Sequence, residues 1–439
     1  MRNTFLIALL FFIHSHSIFS QQNLLQSGPM VGYSEMKEVI LWVQTKSSAK
    51  VKIAYWIKNS QAKFYTEEVL TSKSHTYSAK LIADKVLPGK KYDYEIYING
   101  KLLHFNYPLE FQSQFLFQHR TSAPDFSFAT GSCAYVNDSI NDRPGKPFGG
   151  GYEIFSSILN KKPDFMLWLG DNLYLREPDW NTRTGIEYRY THTRSLPELQ
   201  PLFGSVHHYA ILDDHDYGPN DGDRSFWNKN VSMEIFNNFW CNPNTNLTGK
   251  GGITGTFQWN DAQFFLMDNR WFRSPNDRSV GRKEYLGDTQ IEWLKDALSF
   301  SKAPFKFICI GGPVLNPVKA KENYSNYSEE RDSLLKFIEE EKITGVIFLS
   351  GDRHFTEITK LPREKSYPLF DITVSPLLSR VYNGEEANNL REPGTRVGEK
   401  NFGIFKIDGE TSNRKLNITI FNSKGEFIWT RNIFAKDLK

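Results

Sequence analysis

The chain has 439 residues, 39% of them hydrophobic and 15% aromatic, with a formal net charge of +3. This composition excludes a disordered protein, and without a dense Lys/Arg run it excludes nucleic-acid binding through a basic surface. Three cysteines are too few for a disulfide framework, and their odd number leaves at least one thiol unpaired.

Residues 1–20 carry Arg2, an apolar run from Phe5 to Ile13, and small polar residues around Ser17 and Ser20. That order predicts a cleavable secretory signal, because the run is shorter than the roughly 20 apolar residues of a membrane span. No cysteine follows the run where a bacterial lipid would attach. The expectation is an exported protein, periplasmic or extracellular, with no transmembrane segment after cleavage. A retained membrane anchor is the alternative.

In residues 21–120 the runs EVILWVQT, AKVKIAYWI, HTYSAKLIA and KKYDYEIYING have a period near two, with turns at Pro88-Gly89 and Asn99-Gly100. They predict an N-terminal all-β domain, a small immunoglobulin/fibronectin-III-like sandwich. The segment QHRTSAPDFS around Pro124 reads as a linker.

Residues 121–439 alternate strands with helices, which predicts an α/β domain. FSFATG, DFMLWLG, FFLMD, FKFICIGG and GVIFLSG read as strands, several of the fully buried kind. GYEIFSSILNKK, DTQIEWLKDALSF and SEERDSLLKFIEEEK read as helices. In the second, Asp288 is the expected N-cap, and Ile291, Leu294 and Leu298 share a face. FGIFKID, KLNITIFN and EFIWTRNIF form a terminal meander. The Gly/Asn/Asp-rich loops 137–151 and 217–224 are expected at the mouth of a site.

Four strand-like runs end in chemistry-bearing residues. They are FATGSC with Cys133, LWLGDNLY with Asp171 and Tyr174, AILDDHD with Asp213, Asp214, His215 and Asp216, and IFLSGDRH with Asp352 and His354. Ligands of an open α/β sheet bind beyond the carboxyl ends of its strands. Sulfur, oxygen and imidazole donors meeting there are what a multi-metal hydrolytic site requires. Each motif alone has a plain reading: a Gly-Asp turn for Asp171, a helix cap for Asp213–Asp216, a core aromatic for Tyr174. A nucleophilic Cys133 would need a helix start after the thiol, whereas a loop follows it.

In combination and order, GSC, GDxxY, DDHD, the DNRWFR stretch and LSGDRH resemble the calcineurin-like metallophosphoesterases, most closely their alkaline phosphatase D (PhoD-like) branch. The resemblance covers residue 22 to the end and implies a layered β-sandwich flanked by helices behind the N-terminal β domain. The general pattern of that superfamily is DxH, GDxxD or GDxxY, GNHD or GNHE, and GHxH. Here Cys133 replaces the first metal ligand, Asp214 the Asn of GNHD, and Asp352 the first His of GHxH. The resemblance implies one metal held by Cys133, Asp171, Tyr174 and His354, a donor set suited to iron(III). It implies a second held by Asp171, Asp214 and Asp352, all oxygen, which suits Ca2+; Zn2+ or Mn2+ is the alternative. It further implies phosphate ester substrates, His215 as general acid with Asp216 orienting its ring, and Arg270 and Arg273 binding phosphate oxygens. The rival readings are a diesterase or phospholipase for larger substrates, and a non-catalytic surface protein with a structural metal centre.

Overall fold

The computed structural model describes residues 24–320 and 322–439; the expected signal lies outside them. Among the described residues one sheet has nine strands. Their order is Phe427–Phe434, Lys415–Asn422, Asn401–Asp408, Phe126–Gly131, Phe165–Leu169, His207–Ile211, Leu25–Ser34, Val39–Thr45 and Ser78–Ala83. A second sheet runs Gly255–Trp259, Ala262–Leu266, Phe305–Cys309, Val346–Ser350, Leu369–Thr373 and Glu357–Leu361. The central strands of both sheets are parallel and fully buried. Burial on both faces explains why FMLWL, FKFIC and VIFLS read as unbroken apolar runs.

Aromatic rings fill the space between the sheets. Phe128 stacks on Phe165 at 4.9 Å between centroids and meets Phe264 and Phe307 of the second sheet edge-on. Tyr209 stacks on Phe257 at 3.7 Å. With these layers fixed, the carboxyl ends of parallel strands from both sheets open at one edge. There the N–H of Gly351 donates to the carbonyl of Gly311 at 2.7 Å.

The N-terminal strands form a third sheet, Lys50–Ile57 and Lys91–Ile98 with short partners, which packs over Leu25–Ser34, Val39–Thr45 and Ser78–Ala83 through Val31, Leu41, Ile53 and Ile96. Those latter strands also continue the nine-stranded sheet, with Val31 paired in parallel to His207. Val39–Thr45 is therefore covered on both faces and buried throughout; Trp42 Nε1 donates to the carbonyl of Asn238 at 2.8 Å. Alternation survives where one face is open, as in Lys91–Ile98. The Asn99-Gly100 turn has both residues at positive φ, 48° and 76°, the hairpin geometry that favours Asn-Gly.

Some elements differ from the sequence reading. Gly287, not Asp288, occupies the N-cap position, at φ 78°, and Asp288 is the first helical residue of Asp288–Phe300. The helix Arg183–Arg194 was not expected, because its buried face is carried by Arg189, Tyr190 and Arg194 beside a single aliphatic, Ile186. Lys229–Phe239 was likewise missed, as was the strand Leu25–Ser34, interrupted by Gly28-Pro29. No described helix is long and apolar enough to cross a membrane. Cys241 and Cys309 are free and buried, as is Cys133.

Candidate metal centre

Each chemical motif sits just past a strand, at a sharp turn. Gly170 follows Phe165–Leu169 at φ 88°, and a Cβ there would lie 2.7 Å from Asp213 Cβ, so only glycine lets the two strand ends approach. Cys133, Asp171, Asp352 and His354 all have positive φ, at 60°, 50°, 65° and 54°. Non-glycine residues rarely adopt this conformation and hold it where the surrounding structure enforces it, commonly at functional sites.

One ligand atom each from Cys133, Asp171 and His354 lies within 4.8 Å of the others. Cys133 Sγ is 3.6 Å from Asp171 Oδ2, and the Tyr174 hydroxyl is 3.2 Å from His354 Nε2. Asp171 turns its other oxygen the opposite way, accepting the His215 N–H at 3.2 Å. Asp171, Asp214 and His215 form a second such group. Asp352 groups with Asp213 and Glu322, and Asp214 also with Asp221 and Glu322, so Glu322 stands between the two.

Burial, reinforced by the neighbouring carboxylates of Asp214 and Asp213, pushes the Asp171 carboxyl well above its usual range. Burial likewise raises the Cys133 thiol, helped by Asp171 and Asp352, and the Tyr174 phenol. Asp213 Oδ2, Asp214 Oδ1, Glu322 Oε1 and Asp352 Oδ2 are buried without a hydrogen-bond partner. Arg270 and Arg273 already pair with Asp213 and Glu322, yet buried acceptors left without a partner are costly and favour a further cation. The donors therefore fit a metal centre, with sulfur, phenol and imidazole on one side and carboxylates on the other.

His215 packs its ring on Tyr174 at 4.2 Å, and burial lowers it to about 4. Asp216 does not orient that ring. Its carboxylate accepts the N–H groups of Asn172 at 3.0 Å and Asp213 at 2.9 Å, closing a capping box on the four-residue turn Asp214–Tyr217.

Arg270 and Arg273 are also not placed to grip phosphate. Arg270 is fully buried and ion-paired to Asp213 and Glu322. Arg273 pairs with Glu322 at 3.0 Å and donates to the Tyr327 hydroxyl at 3.0 Å. Two buried carboxylates hold these guanidinium groups inside the protein, where they support the turn carrying Asp214 and His215.

A cleft of about 370 Å³ opens over the centre, lined by Asp171, Tyr174, Asp214, His215, Glu322, Asp352 and His354. Phe148 and Arg143 of the 137–151 loop, Asn220 and Asp221 of the 217–224 loop, and Arg176, Arg353 and Tyr382 complete its rim. Glu322 went unnoticed in the sequence, whereas the stretch holding Asp221 is calcium-like by composition. Glu322 follows no strand and has no motif around it, while Asp221 lies in PNDGDR, which reads as a turn. It is a turn, with the Gly222 N–H donating to the Pro219 carbonyl at 2.9 Å. The Asp221 N–H also donates to Asp214 Oδ2 at 2.7 Å.

The PhoD-like phosphatase family model matches residues 128–411, well over half of the chain. The chain belongs to the PhoD-like phosphatase family. A domain of unknown function (DUF7800) matches residues 22–114. The solved structure of PhoD superposes with a TM-score of 0.76 at 15% identity, covering 94% of this chain and 92% of that one. Purple acid phosphatase PPD1 from yellow lupin (Lupinus luteus) seeds superposes with a TM-score of 0.67 at 12% identity, covering 92% of this chain and 74% of that one. No curated protein matches the sequence. As a member of the PhoD-like family, the chain is a metal-dependent hydrolase of phosphoric esters. A non-catalytic surface protein, one of the rival readings of the sequence, is set aside.

Proposed function

We propose that the protein is a secreted, alkaline phosphatase D-like phosphoesterase acting on phosphate mono- and/or diesters, with His215 as its general acid. The observation that carries this reading is the meeting of Cys133, Asp171 and His354 under a cleft that His215 lines. Cys133, Tyr174, Asp171 and His354 would hold iron(III), and Asp171, Asp214 and Asp352 would offer oxygen to Ca2+, with Glu322 as a further carboxylate. When bound, the metals supply an activated water and neutralise the phosphate.

The residues of the chain do the rest. Asp171 uses one oxygen on the sulfur side and the other on the His215 side. Asp213, fixed by Arg270 and by the Asn269 amide at 2.9 Å, holds the turn that presents His215. Burial holds the ring toward its neutral form, and a bound, negatively charged ester beside it favours protonation. That proton then passes to the leaving alkoxide oxygen.

His215→Asn tests the proton donor. It is expected to lower turnover roughly 10²–10⁴-fold on alkyl esters, whose leaving groups need a proton. Nitrophenyl esters, which leave as stable anions, are expected to lose far less. Equal losses on both classes would remove the acid role and leave His215 a positioning residue.

The reading also includes export and an N-terminal immunoglobulin/fibronectin-III-like sandwich over residues 21–120. Support for export is the order of Arg2, the short apolar run and small residues near Ser20. Terminal sequencing is expected to find a mature chain beginning near Gln21, recovered outside the cytoplasm. A membrane-bound form retaining Met1 would contradict it.

A further inference from the structure

Two serines from one short segment each touch an electron-rich donor of the metal centre. Ser375 Oγ lies 3.3 Å from Cys133 Sγ, and Ser379 Oγ lies 2.9 Å from the Tyr174 hydroxyl. Both serines are fully buried, and neither stands in a motif that the sequence reading singled out.

The direction of each hydroxyl proton follows from what surrounds it. Ser375 Oγ already accepts the His354 N–H at 3.0 Å, so its own proton is free to point at sulfur. Ser132 Oγ is also near, at 3.5 Å from Cys133 Sγ, but it has a better acceptor in the Val374 carbonyl at 2.9 Å. Ser379 Oγ has a second acceptor within reach, the Cys133 carbonyl at 3.0 Å. That carbonyl already accepts the N–H groups of Leu378 and Ser379, both at 3.1 Å. Its two lone pairs are taken, which leaves the Ser379 proton for the phenol oxygen.

We infer that Ser375 and Ser379 are positioning residues that each donate one hydrogen bond, to the Cys133 thiolate and the Tyr174 phenolate respectively, and so set the electron-donating strength of these two ligands. The inference rests on the metal-centre reading above. The same segment is anchored to the strand end it serves, because the Leu377 N–H donates to the Ser132 carbonyl at 2.8 Å. A thiolate and a phenolate in a buried site need such donors to stay charged and oriented, and hydrogen bonds to ligand atoms tune the metal they hold. The Ser375 contact also ties together two donors of the same side, since it fixes the backbone of the ligand His354.

The test is the visible ligand-to-metal charge-transfer spectrum of the full-length protein loaded with iron(III), for wild type, Ser375→Ala, Ser379→Ala and Ser379→Thr. Removing a hydrogen bond raises the donor orbital, so the band of each alanine variant is expected to move to longer wavelength. Ser379→Thr keeps the hydroxyl and is expected to restore the wild-type band. Iron affinity, read by competition with a chelator, is expected to fall about 10–100-fold in each alanine variant. Variants that bind iron with unshifted bands would overturn the inference and leave the metal centre standing. A wild-type protein that takes up iron(III) without any such band would overturn both. A destabilised Ser375→Ala does not decide the matter, because Ser379→Ala reads the phenolate independently.

Discussion

Asp171→Asn is expected to abolish phosphate release almost completely while leaving the protein folded. The backbone of Asp171 sits at φ 50°, a conformation asparagine tolerates as well as aspartate does. The neutral amide also relieves the repulsion with Asp214 and Asp213 that pushes this carboxyl up, so the chain is expected to fold even without its metals. Activity is another matter. Asp171 faces both Cys133 and the His215 turn, and an amide offers one weakly donating oxygen where a carboxylate offers two charged ones. Phosphate release and metal content, with circular dichroism as the control for folding, are the measurements. Near wild-type turnover with metals retained would show that Asp171 is no more than a turn residue.

The second large effect is on stability. Arg270 is buried between Asp213 and Glu322 and also donates to the Gly222 carbonyl at 3.2 Å. Arg270→Met keeps the apolar stem and removes the charge, which leaves two carboxylates facing each other without their shared partner. Breaking a buried pair in this way costs about 3–5 kcal/mol. Arg273 stays paired with Glu322, which places the expected loss toward the lower end. Urea unfolding at neutral pH measures it. A variant of wild-type stability that has lost only its affinity for phosphate would restore the substrate-binding role the sequence suggested for Arg270.

The difference between those two residues shows what the sequence made legible. Asp171, Cys133, Asp214, Asp352 and His354 stand directly beyond apolar runs, and the parallel strands of two facing sheets deliver them to one edge. Their neighbours in the chain are enough to mark them. Arg270 and Arg273 also follow a strand, Ala262–Leu266, yet their direction is decided by Glu322, about fifty positions away and without a motif. Asp216 was misjudged for a related reason. Its nearest polar groups are backbone N–H donors, and a carboxylate near a helix start takes those before a side-chain ring.

At the level of the fold, buried strands and the helices with clear apolar faces could be read directly. Arg183–Arg194 could not, since its buried arginines are explained only by partners such as Asp179, 2.8 Å from Arg189. The joining of Leu25–Ser34 to His207–Ile211 was equally hidden. It depends on pairing across more than 170 positions, and no local pattern announces it.

The most direct test of the central claim, that these donors form a metal-dependent phosphoesterase centre with a soft and a hard half, is elemental analysis of the purified protein. Phosphate release would be assayed on the same sample, before and after mild calcium-selective chelation. The account predicts a tightly held transition metal that survives chelation, and calcium whose removal stops turnover and whose return restores it. Full activity from protein that contains no metal would contradict the account.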